Sequence, residues 1–196
     1  MSREEILDAT WRALCATGYA DLTMQDIADE TDVSKAALHY HYDSKHDLLE
    51  AFLDHIDERF LSRVRDADPG ERADPVRRLS AVLDAALSPP ETEQLEELQR
   101  ALVDLKAQAP HDEEFRSHLR ENDERFAALL ADIVEAGVEG GDFRADLDPD
   151  EAAEFLGLLL AGSQLRQVSL GQDNHRTRRL IDQYFERQIA TPRDAE

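Results

Sequence analysis

The chain of 196 residues contains a single cysteine, Cys15, so no internal disulfide can form and no oxidising compartment is implied. Its longest apolar stretch, Phe155 to Ala161, is far shorter than the ~20 residues that a membrane helix needs. The opening residues Met1-Ser2-Arg3-Glu4-Glu5 carry acids and no apolar run, so no secretory leader is expected. A soluble cytoplasmic protein with no membrane association is the expectation. β-Branched residues are sparse, and only seven prolines and eight glycines interrupt the chain. Ala, Leu, Glu, Asp and Arg dominate instead, which favours helix almost everywhere. Phosphate loops, nucleophile–base sets and metal-ligand spacings are all missing. We therefore expect no enzyme activity, no cofactor and no metal. His39, His41 and His46 could suggest a metal site, but His39 and His41 stand two residues apart and do not share a helix face.

Positive charge is also scarce. Only 22 basic residues oppose 44 acids, for a net charge of −22, and just three of the bases are lysines. Such an acidic, arginine-over-lysine balance resembles that of proteins from salt-accumulating halophiles, where carboxylates hold water and cations. A nucleic-acid binder usually shows a basic patch. Any such role must therefore rest on where the few bases lie.

What is present is helical punctuation. Ser2 with Glu5 makes a capping box for a helix to about Thr17, with Leu7, Trp11 and Leu14 on one face and Gly18 as its stop. Thr23 with Asp26 opens a short helix to Glu30 whose Ile27 and Ala28 face inward. Thr31-Asp32-Val33 reads as a turn, and Ser34 caps a third helix to Tyr40 or His41. Ser44 with Asp47 opens a longer fourth helix toward Arg65. Further helices are expected over Pro75 to Leu87, Glu91 to Ala109, Asp112 to about Val138, Pro149 to Leu170, and Asp173 to about Ala190. The result is an all-α fold of about nine helices, with a compact N-terminal unit of residues 1–48 and a larger helical domain over 49–196.

Two short helices joined by a three-residue turn fit a helix-turn-helix, whose second helix enters the major groove. On that helix Lys35 can reach guanine acceptors, and His39 can donate or accept. Ala36 and Ala37 are small enough to approach a thymine methyl, and Tyr40 is exposed while Tyr42 and Leu38 turn inward. Lys35 and Lys45 are two of the chain's three lysines, and Lys45 opens the fourth helix, where a phosphate is favoured.

The segment from Gly18 to Leu49, GYADLTMQDIADETDVSKAALHYHYDSKHDLL, resembles the signature of TetR-family transcriptional regulators. The match runs through Gly18, Tyr19, Thr23, Ile27, Ala28, Val33, Ser34, Leu38, His41, Tyr42, Ser44, Lys45 and Leu48. Two positions depart: Ala36 where glycine is frequent, and His39 where tyrosine is usual. The resemblance implies a ligand-responsive regulator, a repressor released from operator DNA by a small molecule. It places Gln25, Lys35, Ala36 and His39 at the bases, with Thr23, Ala37, Tyr40, His41 and Lys45 near the backbone, and counts Ser34 among the DNA-binding residues. Further along, Gly141-Asp142-Phe143-Arg144 followed by Asp148-Pro149 echoes the family's C-terminal domain.

A helical domain of this size can enclose a pocket. Candidate wall residues are Phe60, Leu98, Leu102 and Leu105, with Phe115, Phe126, Phe155 and Leu159. They suit an apolar effector, and Arg120 and Arg166 are candidate partners for an acidic one. The last two helices resemble the family's homodimer interface, through Leu156, Gly157, Leu160 and Ala161 on one and Leu180, Ile181, Tyr184 and Phe185 on the other. A four-helix bundle across a two-fold axis would set two recognition helices ~34–36 Å apart. The obstacle is charge: residues 1–48 hold ten acids against four bases, net −6. Screening within ~3 Å at 1 M salt would lift that repulsion. A helical dimer that docks to another protein is the competing reading, with the acidic N-terminal unit in its favour and Lys35 and Lys45 against it.

Overall fold

The computed structural model describes residues 2–31, 34–90, 92–185 and 189. Among these the chain is all-helical, with nine α-helices and no strand. They are α1 (Arg3–Asp21), α2 (Met24–Asp29), α3 (Lys35–His41), α4 (Lys45–Ala67), α5 (Pro75–Leu87), α6 (Glu93–Lys106), α7 (Glu113–Gly140), α8 (Pro149–Leu170) and α9 (His175–Tyr184). The chain forms two compact units, Met1–Arg59 with Pro90–Asn122, and Phe60–Pro89 with Asp123–Glu196. No described helix is long and apolar enough to cross a membrane.

In the first unit the starts of the helices are fixed by their own side chains. The Glu5 amide donates to Ser2 Oγ at 3.2 Å and the Ser2 amide to Glu5 Oε2 at 2.6 Å. Thr23 and Asp26 repeat the exchange at α2. Each box occupies amide groups that a helix N-terminus leaves free. Gly18, expected to stop the helix, instead kinks α1 at φ +72°, and one more turn follows before Leu22 ends it. The core gathers Ile6 and Leu14 of α1, Ile27 of α2, Leu38 of α3, and Leu48 and Phe52 of α4, all fully buried. Leu98 and Leu105 of α6 and Phe115 of α7 complete it, so α6 lies along α1 within this unit. Trp11, Cys15 and Tyr42 are half-buried against the same cluster. The guanidinium of Arg59 stands over the Trp11 ring, 5.8 Å from its centre. Burial pushes the Cys15 thiol above its ordinary value.

The second unit is tied by longer connections. Arg78 of α5 grips Asp68 with two parallel bonds, Nε to Oδ1 at 3.0 Å and Nη2 to Oδ2 at 2.8 Å, both side chains nearly buried. That guanidinium holds the Asp68 carboxyl below the usual carboxylate range. Asn174 donates to the Leu87 carbonyl at 3.0 Å and accepts from the buried Ser163 hydroxyl at 2.6 Å, joining α5, α8 and the start of α9. Arg178 of α9 reaches Asp84 and Ser80 on α5. Leu79, Leu83, Ile133, Val134, Phe143, Leu156 and Ile181 fill the core. Phe143 lies over Gly137, where an added Cβ would stand 2.1 Å from the ring, and its amide donates to the Gly137 carbonyl at 2.9 Å. The Gly-Asp-Phe-Arg stretch is thus a plug that turns back onto α7.

Two expected boundaries shift. The sixth helix spans Glu93–Lys106, not Glu91 to Ala109, because Thr92 caps it by accepting from Leu95 N and Pro110 lies in a separate 3₁₀ turn, Ala109–His111. The ninth opens at His175, after Asn174, rather than at Asp173. Of its expected extension to Ala190, only Phe185 and Ile189 are described after Tyr184. Asp32 and Val33 of the expected turn lie outside the described residues.

Candidate nucleic-acid interface

Helix α3 is short and polar because only one of its residues has to serve the core. Leu38 is fully buried, and Ser34 caps the helix by accepting from Ala37 N at 3.3 Å. Around that anchor Ser34, Lys35, Ala36, His39, Tyr40 and His41 are exposed, and Ala37 is half-buried. Tyr40 is 87% exposed, its ring edge-on to His41 with centroids 5.5 Å apart. An apolar ring this open to water on a seven-residue helix marks a face shaped for contact and not for the core. Tyr42 turns inward, as expected.

The helix before it is clamped. Arg12 of α1 donates from Nε to Glu30 Oε2 at 3.1 Å and from Nη2 to the Glu30 carbonyl at 2.8 Å. The residue that ends α2 is therefore held against α1, and the entry to the turn is fixed. Thr23 and Gln25 are exposed at the start of α2. Thr23 donates to Asp26 Oδ2 at 2.6 Å, and that hydroxyl bond is the main cause of an Asp26 carboxyl below its usual range. Gln25 Nε2 donates to Asp29 at 2.7 Å. Lys45 is half-buried: its ammonium donates to the Leu22 carbonyl at 2.9 Å and stands 5.0 Å from the centre of the Tyr19 ring. It secures the link before α2 to the start of α4. Of the sequence-selected residues, then, those of α3 share one open face, while Gln25 and Lys45 also hold the frame.

The candidate pocket residues separate between the two units. Leu98, Leu102, Leu105 and Phe115 belong to the first core, and Phe60, Phe126 and Leu159 border the second. Phe60 and Phe126 meet edge-on at 5.2 Å, and Phe155 stacks at 4.5 Å on Tyr184. Arg166 is engaged by Gln172, Nε to Oε1 at 3.1 Å, and Arg120 is exposed. Among the candidate dimer residues, Leu156, Leu160, Ile181 and Phe185 are buried within the chain's own second core, Gly157 and Tyr184 are half-buried, and Ala161 and Leu180 are exposed. Sequence reasoning did not select Leu158 and Leu165, which are 66% and 52% exposed on α8. Their signal was the i, i+3, i+7, i+10 spacing Phe155, Leu158, Gly162, Leu165, a second apolar face on one helix.

The described architecture is that of a helix-turn-helix DNA-binding regulator with a C-terminal helical domain. Residues 6–52 match the family described as bacterial regulatory proteins, tetR family, and residues 75–190 match the C-terminal domain of BetI-type transcriptional repressors. The chain belongs to the TetR family of transcriptional regulators, and its function is the family's: DNA-binding, ligand-responsive control of transcription. It is 27% identical over 161 residues to the transcriptional repressor KstR2 of Rhodococcus jostii, covering 79% of this chain and 74% of that one. A TetR transcription regulator from Haloarcula marismortui superposes with a TM-score of 0.87 at 38% identity, covering 95% and 97% of the two chains. A transcriptional regulator from Saccharomonospora viridis in complex with choline has a TM-score of 0.80 at 25% identity, covering 97% and 98%.

Proposed function

We propose that the chain is a cytoplasmic, homodimeric repressor that reads operator DNA with the open face of α3 and lets go when an effector enters the domain beyond residue 48. The observation that carries this is the α3 face itself, five exposed side chains around one buried leucine, aligned with a family match over residues 6–52. Lys35 and His39 address base edges, Ala36 and Ala37 permit close approach, and Ser34, Tyr40 and His41 flank the backbone. Thr23, Gln25 and Lys45 sit at the edges of that footprint. No catalytic step belongs to this reading.

The dimer surface would use the parts of α8 and α9 that the second core leaves open: Phe155, Leu158, Ala161, Leu165 and Leu180. Leucines left in water on a helix in this register favour a second copy. Leu158→Glu should convert the dimer to monomer in sedimentation without loss of helix. An unchanged dimer would remove α8 from the interface.

The effector's class is read from two sides. Phe60, Phe126, Phe155 and Leu159 suit an apolar or aromatic molecule, and the Saccharomonospora relative holds the quaternary ammonium choline. An effector preferring the DNA-free spacing of the two α3 helices releases DNA by population shift. The test is anisotropy of the chain's own upstream DNA from about 0.1 M to about 3 M KCl, with choline, a long-chain fatty acid, or neither. Saturable binding that persists at molar salt and weakens with one ligand class is expected. Absence of binding at every salt would overturn the reading and favour docking to a protein partner, for which the net −6 of residues 1–48 is the support.

A further inference from the structure

Away from α3, the first unit brings imidazoles and carboxylates together from two distant segments. His46, Glu50 and Asp54 follow one another at single-turn spacing along α4. Asp112 precedes α7, and Glu114 and His118 are one turn apart on it. His46 Nε2 lies 3.3 Å from Glu50 Oε1 and 3.7 Å from Glu114 Oε2. His118 Nε2 points at the same Glu50 oxygen from 3.7 Å. One donor atom from each of His46, Glu50 and Glu114 falls within 4.8 Å of the others.

The far side of each ring decides what the near side offers. His46 Nδ1 is 3.3 Å from Asp112 Oδ2, and His118 Nδ1 is 3.2 Å from Asp54 Oδ1. An imidazole that gives its Nδ1 proton to a carboxylate presents a bare lone pair at Nε2. This is the outer-shell arrangement that orients metal-bound histidines and raises their basicity. Both rings have a carboxylate at Nδ1, and both Nε2 atoms face Glu50. Glu50 Oε1 is itself buried and receives no hydrogen bond among the described residues. The Phe115 ring packs beside His46 at 5.7 Å and limits its rotation. Two imidazole nitrogens therefore converge on one buried carboxylate oxygen, within a group of four carboxylates, Glu50, Asp54, Asp112 and Glu114.

We propose that His46, Glu50 and Glu114, with His118 beside them, bind a divalent transition ion of the zinc class, with Asp112 and Asp54 as outer-shell supports. Mixed imidazole and carboxylate donors suit such an ion better than calcium or magnesium, which take oxygen alone. Occupancy would fasten the first turn of α4, the segment directly after α3, to the first turns of α7. The site does not depend on the DNA reading, because ion binding is measured without DNA.

The experiment uses the full chain, stripped with chelator and held in molar KCl to suppress loose binding to the acidic surface. Zinc is titrated against a chromophoric chelator, and cobalt serves as the spectroscopic probe. One tight equivalent per chain is expected, with cobalt d–d absorption and a zinc-dependent rise in Tm. Glu50→Gln should lower affinity by at least about 10-fold, and His175→Ala, a histidine outside the site, should bind as the wild type does. Glu114→Gln, at a side chain 71% exposed and so without consequence for folding, should also weaken binding. No tight equivalent, or equal binding by the wild type, Glu50→Gln and Glu114→Gln, would overturn the site.

Discussion

The two units use their polar side chains differently. In the first, Ser2 with Glu5, Thr23 with Asp26, and Ser44 with Asp47 each close a helix start within three residues, beside the longer links from Arg12 to Glu30 and from Lys45 to the Leu22 carbonyl. In the second, they join distant segments: Arg78 to Asp68, Asn174 to the Leu87 carbonyl, and Arg178 to Asp84. A local cap fixes where a helix begins, which suits a module that must present a fixed face to DNA. A domain held by long-range links and one shared core can move its helices together, which suits a part that must respond to an effector.

Substitutions can sharpen or break this contrast. The largest effect should come from Phe143→Ala, which empties the plug over Gly137 and costs about 3–5 kcal/mol, read by urea unfolding. Leu38→Ala follows at about 2–5 kcal/mol, and its DNA affinity should fall with it, because α3 has no other buried anchor. Gly137→Ala should cost about 1–3 kcal/mol by overpacking against the same ring, and Phe143→Leu should recover part of that loss. Thr23→Ala should cost about 1 kcal/mol, through the lost cap alone. If Thr23→Ala instead unfolded both units together, the claim of local closure would fail.

Acid gives the smallest and most diagnostic effect. Asp26, Asp47 and Asp68 have carboxyls held below their ordinary value, chiefly by the Thr23 hydroxyl, the Ser44 hydroxyl and the Arg78 guanidinium respectively. A depressed folded-state value adds stability above the unfolded carboxylate range, and that stability is lost as pH falls through the folded one. Melting temperature should therefore drop as pH falls below the ordinary carboxylate range, and Thr23→Ala should flatten part of that drop. An unchanged acid profile would deny Asp26 its share.

The same contrast explains what could be read from the chain. Capping boxes work over three residues, so the starts of α1, α2, α3 and α4 were legible, as were Pro149 opening α8 and Gly171 closing it at φ +62°. The α3 face was legible too, because a seven-residue helix with one leucine leaves little choice of orientation. Distance in sequence hid the rest. Lys45 reads as a phosphate ligand, yet its ammonium also bonds the Leu22 carbonyl. Phe143 covering Gly137 has no local signal. The buried positions Leu156, Leu160 and Ile181 that α8 and α9 give to the second core cannot be separated by period from those they leave open. The histidine–carboxylate cluster announces itself only as two i, i+4 pairs, 46/50 and 114/118, that the fold then brings together.

The central claim is that α3 carries recognition despite an acidic surround, and the direct measurement is the salt dependence of operator affinity for the wild type and Lys35→Ala. The account predicts wild-type binding that holds or strengthens toward molar KCl, and a loss of about 1–3 kcal/mol in Lys35→Ala at every salt. Affinity that falls steeply with rising salt, or a Lys35→Ala protein that binds as the wild type does, would contradict it.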